Sequence, residues 1–308
     1  MMQSLIVFVY NQIDFVEQLS RNLKSLVDEF DEIIIVDDCS CDGTVEALIA
    51  SRIFEFGNVV LHVNPENLGI NRNFSFHVLR CEADVVTLIG GDDQIELCYG
   101  KKIRNLVENR KFQSCDRFVI ISNVRYSGVN QKVIRNYSSP ARLTKEYLLN
   151  VLTGTLQPFE TPTSKELSCL VGGWQDKFGL QADVARQLRK FYMADHVEFI
   201  DEVGVVYEPN IGITSRTLGT KNLSDFIVVC QETVKFVSPT EKALVTPLID
   251  YLILLHSVLV YCDGGRGKKR KMALHLIRKR FLLCNFVFNN PLFSWRLCLI
   301  VFLKAFRS

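Results

Sequence analysis

Short apolar runs recur through the first 124 residues, and the early ones alternate with segments of helical periodicity. Residues 5–10 (LIVFVY) form a continuous apolar, β-branched run of the kind buried on both faces in a parallel sheet. Phe15, Leu19, Leu23, Leu26, Val27 and Phe30 then recur at mostly three- and four-residue spacing, which predicts an amphipathic helix over 14–30. Residues 32–36 (EIIIV) repeat the strand signal, and Asp42-Gly43-Thr44 opens the next helix. Further strands are predicted at 59–63, 84–89 and 118–124, with a helix over 70–80 behind Asn67-Leu68-Gly69. Strands and helices joined by short connections predict an α/β fold: a doubly wound, mostly parallel sheet flanked by helices.

In such a sheet ligands lie beyond the carboxyl ends of the strands. Three of those ends carry Tyr10-Asn11, Asp37-Asp38 and Asp92-Asp93. The glycines before the last pair, Gly90-Gly91, let backbone approach a bulky ligand. Paired carboxylates at that place suit Mg²⁺ or Mn²⁺, which bind through one or two carboxylates together with substrate phosphates. Each pair also has a plainer reading, as a solvated turn or the cap of the following helix. Together they suit a nucleoside diphosphate, one cluster for base or ribose and the other for a metal on the pyrophosphate. Other chemistries lack their signatures. No GxGxxG follows the first strand, there is neither GxSxG nor HExxH, and the five histidines fit no metal spacing. Residues 264–268 (GGRGK) lack the spacing of a phosphate loop, and no strand leads into them.

The second half is less regular. Residues 126–165 are rich in Thr, Ser and Pro, and Gly172-Gly173 leads into a polar loop. Val184, Leu188 and Phe191 predict a helix over 182–193, with Arg186 and Arg189 three apart on one side, as a solvated face or a phosphate contact. Residues 196–207 read as a strand or hairpin, and 240–262 as an apolar helix broken at 263–267. Of the 36 Lys and Arg residues, 11 follow Asp263, where no Asp or Glu occurs; the preceding 263 residues hold the other 25, against 34 acidic residues. An acidic body thus carries a basic tail interleaved with Phe, Leu and Trp. This pattern favours an anionic membrane surface over nucleic acid as partner, through interfacial helices; a helical cap or a dimer interface is the plainer alternative. No run approaches the roughly 18 uninterrupted apolar residues of a spanning helix. The ten cysteines are scattered apart from Cys39 and Cys41, as expected of reduced thiols in a cytoplasm. The opening MMQSLIVFVYNQ reads as a first strand rather than a signal peptide. The expected location is cytoplasmic, peripheral on the inner face of the membrane.

Residues 7–44 (VFVYNQIDFVEQLSRNLKSLVDEFDEIIIVDDCSCDGT) resemble the opening of family 2 glycosyltransferases of the GT-A fold. Asn67-Leu68-Gly69 and Asn73 fall where that family has its Asn-x-Gly and Asn, and residues 84–93 (DVVTLIGGDD) fall on its strand and DxD motif. Gly172-Gly173-Trp174 resembles its acceptor loop, and Ala182-Asp183 its Glu-Asp motif. The resemblance covers about residues 4–220. It implies transfer of a sugar, with inversion, from a nucleoside-diphosphate donor (a UDP-sugar) to a hydroxyl of a saccharide or lipid-linked acceptor, in bacterial surface-polysaccharide biosynthesis. It implies a catalytic domain over 1–222, with a donor half to about 125 and an acceptor half from 126, and a C-terminal helical, membrane-associating region over 223–308. By the same resemblance Tyr10, Asn11, Asp37, Asp38, Asn67, Gly69, Asn73, Gly91 and Asp92 bind the donor nucleotide. Asp92 and Asp93 hold Mg²⁺ or Mn²⁺, Gly173 and Trp174 meet the acceptor, and Asp183 is the catalytic base. Asp183 opens a helix, where the dipole favours negative charge. Two positions depart from the pattern: Gly90 stands at the first Asp of DxD, and Ala182 at the Glu of Glu-Asp. They motivate an alternative, the same fold as a membrane-docked scaffold with impaired catalysis.

Overall fold

The computed structural model describes residues 1–128, 132–134, 161–208 and 220–240, with further positions between 242 and 257. The basic tail, and most of the irregular stretch over 126–165, lie outside the described residues. Four strands, β1 (Gln3–Val9), β2 (Glu32–Asp37), β3 (Val59–Val63) and β4 (Val85–Gly90), make a parallel half-sheet in the order β3-β2-β1-β4. Their registers set Val9 level with Asp37 and Phe8 level with Gly90, so the polar strand ends share one rim.

Alternation along each strand divides the core. Leu5, Val7 and Val9 of β1, with Ile33 and Ile35 of β2, face the apolar stripe of α1 (Val16–Leu26), whose Val16, Leu19, Leu23 and Leu26 are buried. Burial of each such side chain contributes about 2 kcal/mol. Ile6, Val36, Val86 and Leu88 face the other way, onto Phe74 and Val78 of α3 (Ile70–Arg80). The helix α2 (Thr44–Ala50) follows β2, and a short 3-10 turn over Ile13–Phe15 delays the start of α1.

Beyond β4 come β5 (Gln94–Ile95), α4 (Tyr99–Arg110), β6 (Phe118–Tyr126), β7 (Val133–Ile134) and β8 (Thr163–Ser164). They are followed by α5 (Lys165–Val171), α6 (Ala182–Met193), β9 (His196–Tyr207) and α7 (Thr220–Phe236). The two-residue β8 is antiparallel to both β4 and β6, so β6 runs the same way as the first four strands, and β9 pairs parallel with β6. The short β5 closes on the end of β9 in antiparallel fashion. Together these form one mixed sheet with all long strands parallel, flanked by helices, as the GT-A expectation requires. The region 196–207 is a single strand rather than a hairpin. A register shift between Ser122↔Ile200 and Asn123↔Val203 bulges Asp201 and Glu202 out of the ladder, which accounts for their polarity in mid-strand.

The helix α4 escapes local reading because its start is fixed from a distance. The buried Glu29 carboxylate accepts hydrogen bonds from the Cys98 N–H at 2.7 Å and the Gly100 N–H at 2.9 Å. Phe226, Val229 and Cys230 of α7, and helical positions Val245, Ile249 and Ile253, share one core with Leu167, Val171, Leu188 and Phe191. No packing break therefore falls at 222 among the described residues. None of the described helices is long and apolar enough to cross a membrane.

Candidate active site

The loops after β1 and β2 are stitched to each other by Ser40, Cys41, Asp42 and Thr44 of the DDCSCDGT segment. The Asn11 N–H donates to Ser40 Oγ at 2.8 Å, and Asn11 Oδ1 accepts from the Cys41 N–H at 2.9 Å. The Gln12 N–H donates to Thr44 Oγ1 at 2.9 Å and the Ile13 N–H to Asp42 Oδ2 at 3.1 Å. Asn11 sits at φ +49°, a left-handed conformation that Asn tolerates better than most residues. Asp38 ties in a third loop. Its Oδ1 accepts from Asn64 Nδ2 at 2.8 Å and the Leu68 N–H at 2.9 Å, and its Oδ2 from the Gly69 N–H at 2.9 Å. Asn67 Oδ1 also accepts from that Gly69 N–H, and Gly69 turns at φ +75°. Buried Asn73 accepts from Asn64 Nδ2 at 2.9 Å. Of the residues expected at the donor nucleotide, Asn11, Asp38, Asn67 and Asn73 thus hold loops in shape. Tyr10 is exposed at the rim, and fully buried Asp37 keeps Oδ1 without a hydrogen-bond partner while its Oδ2 accepts from the Ser40 N–H.

The rim continues at the end of β4. A Cβ built at Gly91 would meet Gln12 Oε1 at 2.3 Å and Val9 Cγ1 at 2.5 Å, and one built at Gly90 would meet Asp92 Oδ1 at 2.6 Å. The glycines make room for the protein's own side chains. Asp93 Oδ1 accepts from the Glu208 N–H at 3.0 Å, and Glu208 in turn accepts from Ser127 Oγ. Burial, reinforced by the neighbouring charges of Asp92 and Glu208, pushes the Asp93 carboxyl up to about 7. Burial also raises Asp92, against a hydrogen bond from the Gln12 side chain, and Glu208 adds repulsion. Burial raises Tyr207, and the charges of Asp93, Asp92 and Asp183 act on it too. The charges of Asp92, Asp93 and Asp183 thus all bear on Tyr207.

Asp183 lies exposed in the first turn of α6, its Oδ1 accepting from the Val184 N–H at 2.7 Å. On the acceptor side, both Trp174 and Gly173 pack against α3. Trp174 stacks on Phe74, ring centroids 4.1 Å apart and planes 11° apart, and Phe74 stacks on Phe8 at 5.4 Å. That indole face is closed to a sugar. Gly173 packs against α3, where an added Cβ would meet Ser75 Oγ at 2.2 Å. Arg186 faces inward, fully buried, its Nε donating to the Gly172 carbonyl at 3.0 Å. Arg189 is also partly enclosed, 5.7 Å over the Phe178 ring. A solvated face for these two is thereby overturned.

A divalent cation fits the donor set at Asp92 and Asp93: oxygen ligands only, half-buried, with the charge of Asp92 pressing on Asp93 and that of Glu208 on both. Among the described residues no three His, Cys, Asp or Glu side chains converge on one point, so there is no preformed cage. The arrangement matches a metal held by one or two carboxylates with the remaining places left to phosphate oxygens and water. Asp93, already bonded to the Glu208 N–H, is the less free of the two. Sequence reasoning missed Gln12, Tyr207 and Glu208. Gln12 directly follows the Tyr10-Asn11 pair, and Tyr207 and Glu208 stand at the end of a parallel strand, so the strand-end rule applied to β9 would have found them.

Comparison with known proteins agrees with this geometry. The model of the family described as Glycosyl transferase family 2 matches residues 4–164. No curated protein matches the sequence. Among solved structures, the S. aureus TarS crystal structure aligns with a TM-score of 0.62 at 17% identity, over 83% of this chain and 43% of that one. The chain thus spans less than half the length of that protein. The shorter S. aureus TarS 1-349 in complex with UDP-GlcNAc gives a TM-score of 0.65 at 15% identity, covering 91% of this chain and 80% of that one. The mannosyltransferase PcManGT from Pyrobaculum calidifontis, in complex with GDP-Man and Mn²⁺, gives 0.55 at 15% identity over 98% and 84%. At these identities the structural likeness speaks to the fold, and the family assignment rests on the sequence model, which covers more than half of the chain. With the GT-A sheet and the family model in agreement, the chain belongs to glycosyl transferase family 2 and is a glycosyltransferase.

Proposed function

We propose that the protein moves a sugar from a nucleoside-diphosphate donor, a UDP-sugar, to a hydroxyl of a saccharide or lipid-linked acceptor, inverting the anomeric carbon, in surface-polysaccharide synthesis. The observation that carries this reading is the rim itself: the registers of β1, β2 and β4 bring Asp37-Asp38 and Asp92-Asp93 to the same carboxyl edge of the parallel sheet. UDP is favoured as carrier by the TarS complex with UDP-GlcNAc. Tyr10 offers an exposed ring at the rim. Mg²⁺ or Mn²⁺, when bound at Asp92 with support from Asp93, neutralises charge on the departing diphosphate. The acceptor hydroxyl oxygen bonds to the anomeric carbon on the face opposite the phosphate. The carbon–oxygen bond to the diphosphate breaks, and the hydroxyl proton passes to Asp183. Its exposure at a helix N-terminus suits a base that meets an incoming acceptor. The basic tail docks the enzyme on the inner face of the membrane, from the cytoplasm, beside a lipid-linked acceptor.

A panel of nucleotide sugars, with and without Mn²⁺, tests this by release of free nucleoside diphosphate. Asp183→Asn is expected to lower kcat about 10²- to 10⁴-fold with donor affinity retained. Asp92→Asn is expected to lose Mn²⁺-dependent donor binding while keeping its circular dichroism spectrum. Donor turnover by Asp92→Asn at the wild-type rate would remove the metal assignment. Absence of any metal-dependent nucleotide binding by the wild type would favour the scaffold alternative.

A further inference from the structure

The helix α6 carries two cations into the core. Arg186 and Lys190 stand four residues apart, one above the other on the same side of the helix, and both are fully buried. Beyond its bond to the Gly172 carbonyl, Arg186 reaches Ser168 Oγ with Nη2 at 3.3 Å, and its guanidinium lies 5.2 Å from the centroid of the Phe74 ring. Lys190 Nζ donates to Thr161 Oγ1 at 3.0 Å and to Thr163 Oγ1 at 3.2 Å. These acceptors fall within residues 161–172, the stretch that contains β8 and α5. A seam of directed polar bonds thus runs along the contact between α6 and that stretch.

Apolar packing already holds the two together, since Ala185, Leu188 and Phe191 share a core with Leu167 and Val171. Stability alone does not call for cations there, because an apolar seam of the same volume is commonly as stable or more so. What the cations add is direction. Apolar surfaces attract without regard to angle, whereas a hydrogen bond weakens steeply once donor and acceptor are misaligned. The seam therefore resists sliding and turning of α6 against its neighbour. Asp183 stands in the first turn of that helix, three residues before Arg186 and about 4.5 Å away along the axis. Its place in the site is set by the same register.

We propose that Arg186 is a positioning residue which, with Lys190, fixes the register of α6 and so holds Asp183 at the acceptor hydroxyl. The inference rests on the reading of Asp183 as the base and extends it to a buried side chain one turn further along the helix.

Rates of nucleoside-diphosphate release are measured on the full chain with Mn²⁺, across the same panel of nucleotide sugars at varied concentration. Arg186→Lys keeps the charge and loses the Nε donor and the planar fork. It is expected to lower kcat about 10- to 100-fold with donor KM unchanged. Ser168→Ala removes only the hydroxyl at Nη2, and its loss is expected to be smaller and of the same kind. The deciding readout is the pair of double variants. In an Asp183→Asn background neither substitution is expected to lower kcat further, because a residue that acts through Asp183 then has nothing left to position. Where Arg186→Lys does not fold, Ser168→Ala decides. Wild-type kcat in the deciding variant, or an equal fold-loss with and without Asp183, overturns the inference and leaves Asp183 as the base. Wild-type kcat in Asp183→Asn, or a wild-type protein that turns over no donor, overturns the inference together with the reading beneath it.

Discussion

Asp37 and Asp38 are neighbours in sequence with opposite fates. One keeps a buried oxygen unpaired, whereas three donors fill the other. Residue type and strand-end position were legible before the fold was known; the division of labour was not, because it depends on partners 26 to 31 residues away. The same network reaches His77, whose Nε2 lies 3.1 Å from Asn64 Oδ1. Burial, and then repulsion from His62 and Arg80 against the attraction of Asp38, lowers His77 from 6.5 to about 4. The unfolded chain therefore binds a proton at a higher pH than the folded one. The stability linked to His77 is present above about 6.5 and is lost as pH falls toward 4. Melting temperature is expected to decline across that window, and to decline less steeply in His77→Gln. Parallel slopes for the two proteins would remove His77 from the account.

Among the elements, the parallel strands and the helices α3 and α6 follow directly from local pattern, because each is bounded by glycines, caps or apolar spacing that lie within it. The helix α4 begins where Glu29 caps it, and a two-residue strand such as β8 carries no period at all. The packing of the loop after α5 escapes local reading for a related reason. Aromatic and glycine residues there look like a sugar platform until α3 is seen beneath them. Gly173 allows the segment after α5 to lie on Ser75, and the Trp174 carbonyl accepts from Ser75 Oγ at 2.8 Å. Gly173→Ala is expected to force the two apart and cost about 1–3 kcal/mol, measured as a lower urea midpoint at unchanged slope. A neutral substitution would mean that the Phe74–Trp174 stack does not depend on that contact.

For the whole molecule, fold class and the rim were readable because a parallel sheet collects its strand ends on one side whatever the details of the connections. The charge division is a separate whole-chain feature: 11 basic residues and no acidic ones after Asp263, on a body with 34 acidic residues. Cosedimentation with vesicles is expected for anionic lipid and not for zwitterionic lipid, to weaken as salt is raised, and to vanish on truncation after Asp263. Equal recovery with both lipids would assign the tail to packing instead. The bond from the Glu208 N–H to Asp93 joins residues 115 apart, and β5 closes on β9 beside it. A ribosome has therefore finished Asp92 and Asp93 long before it makes the segment that fastens them. While the nascent chain is still growing, its acidic corner stands unfastened, and this fastening waits until Glu208 has emerged.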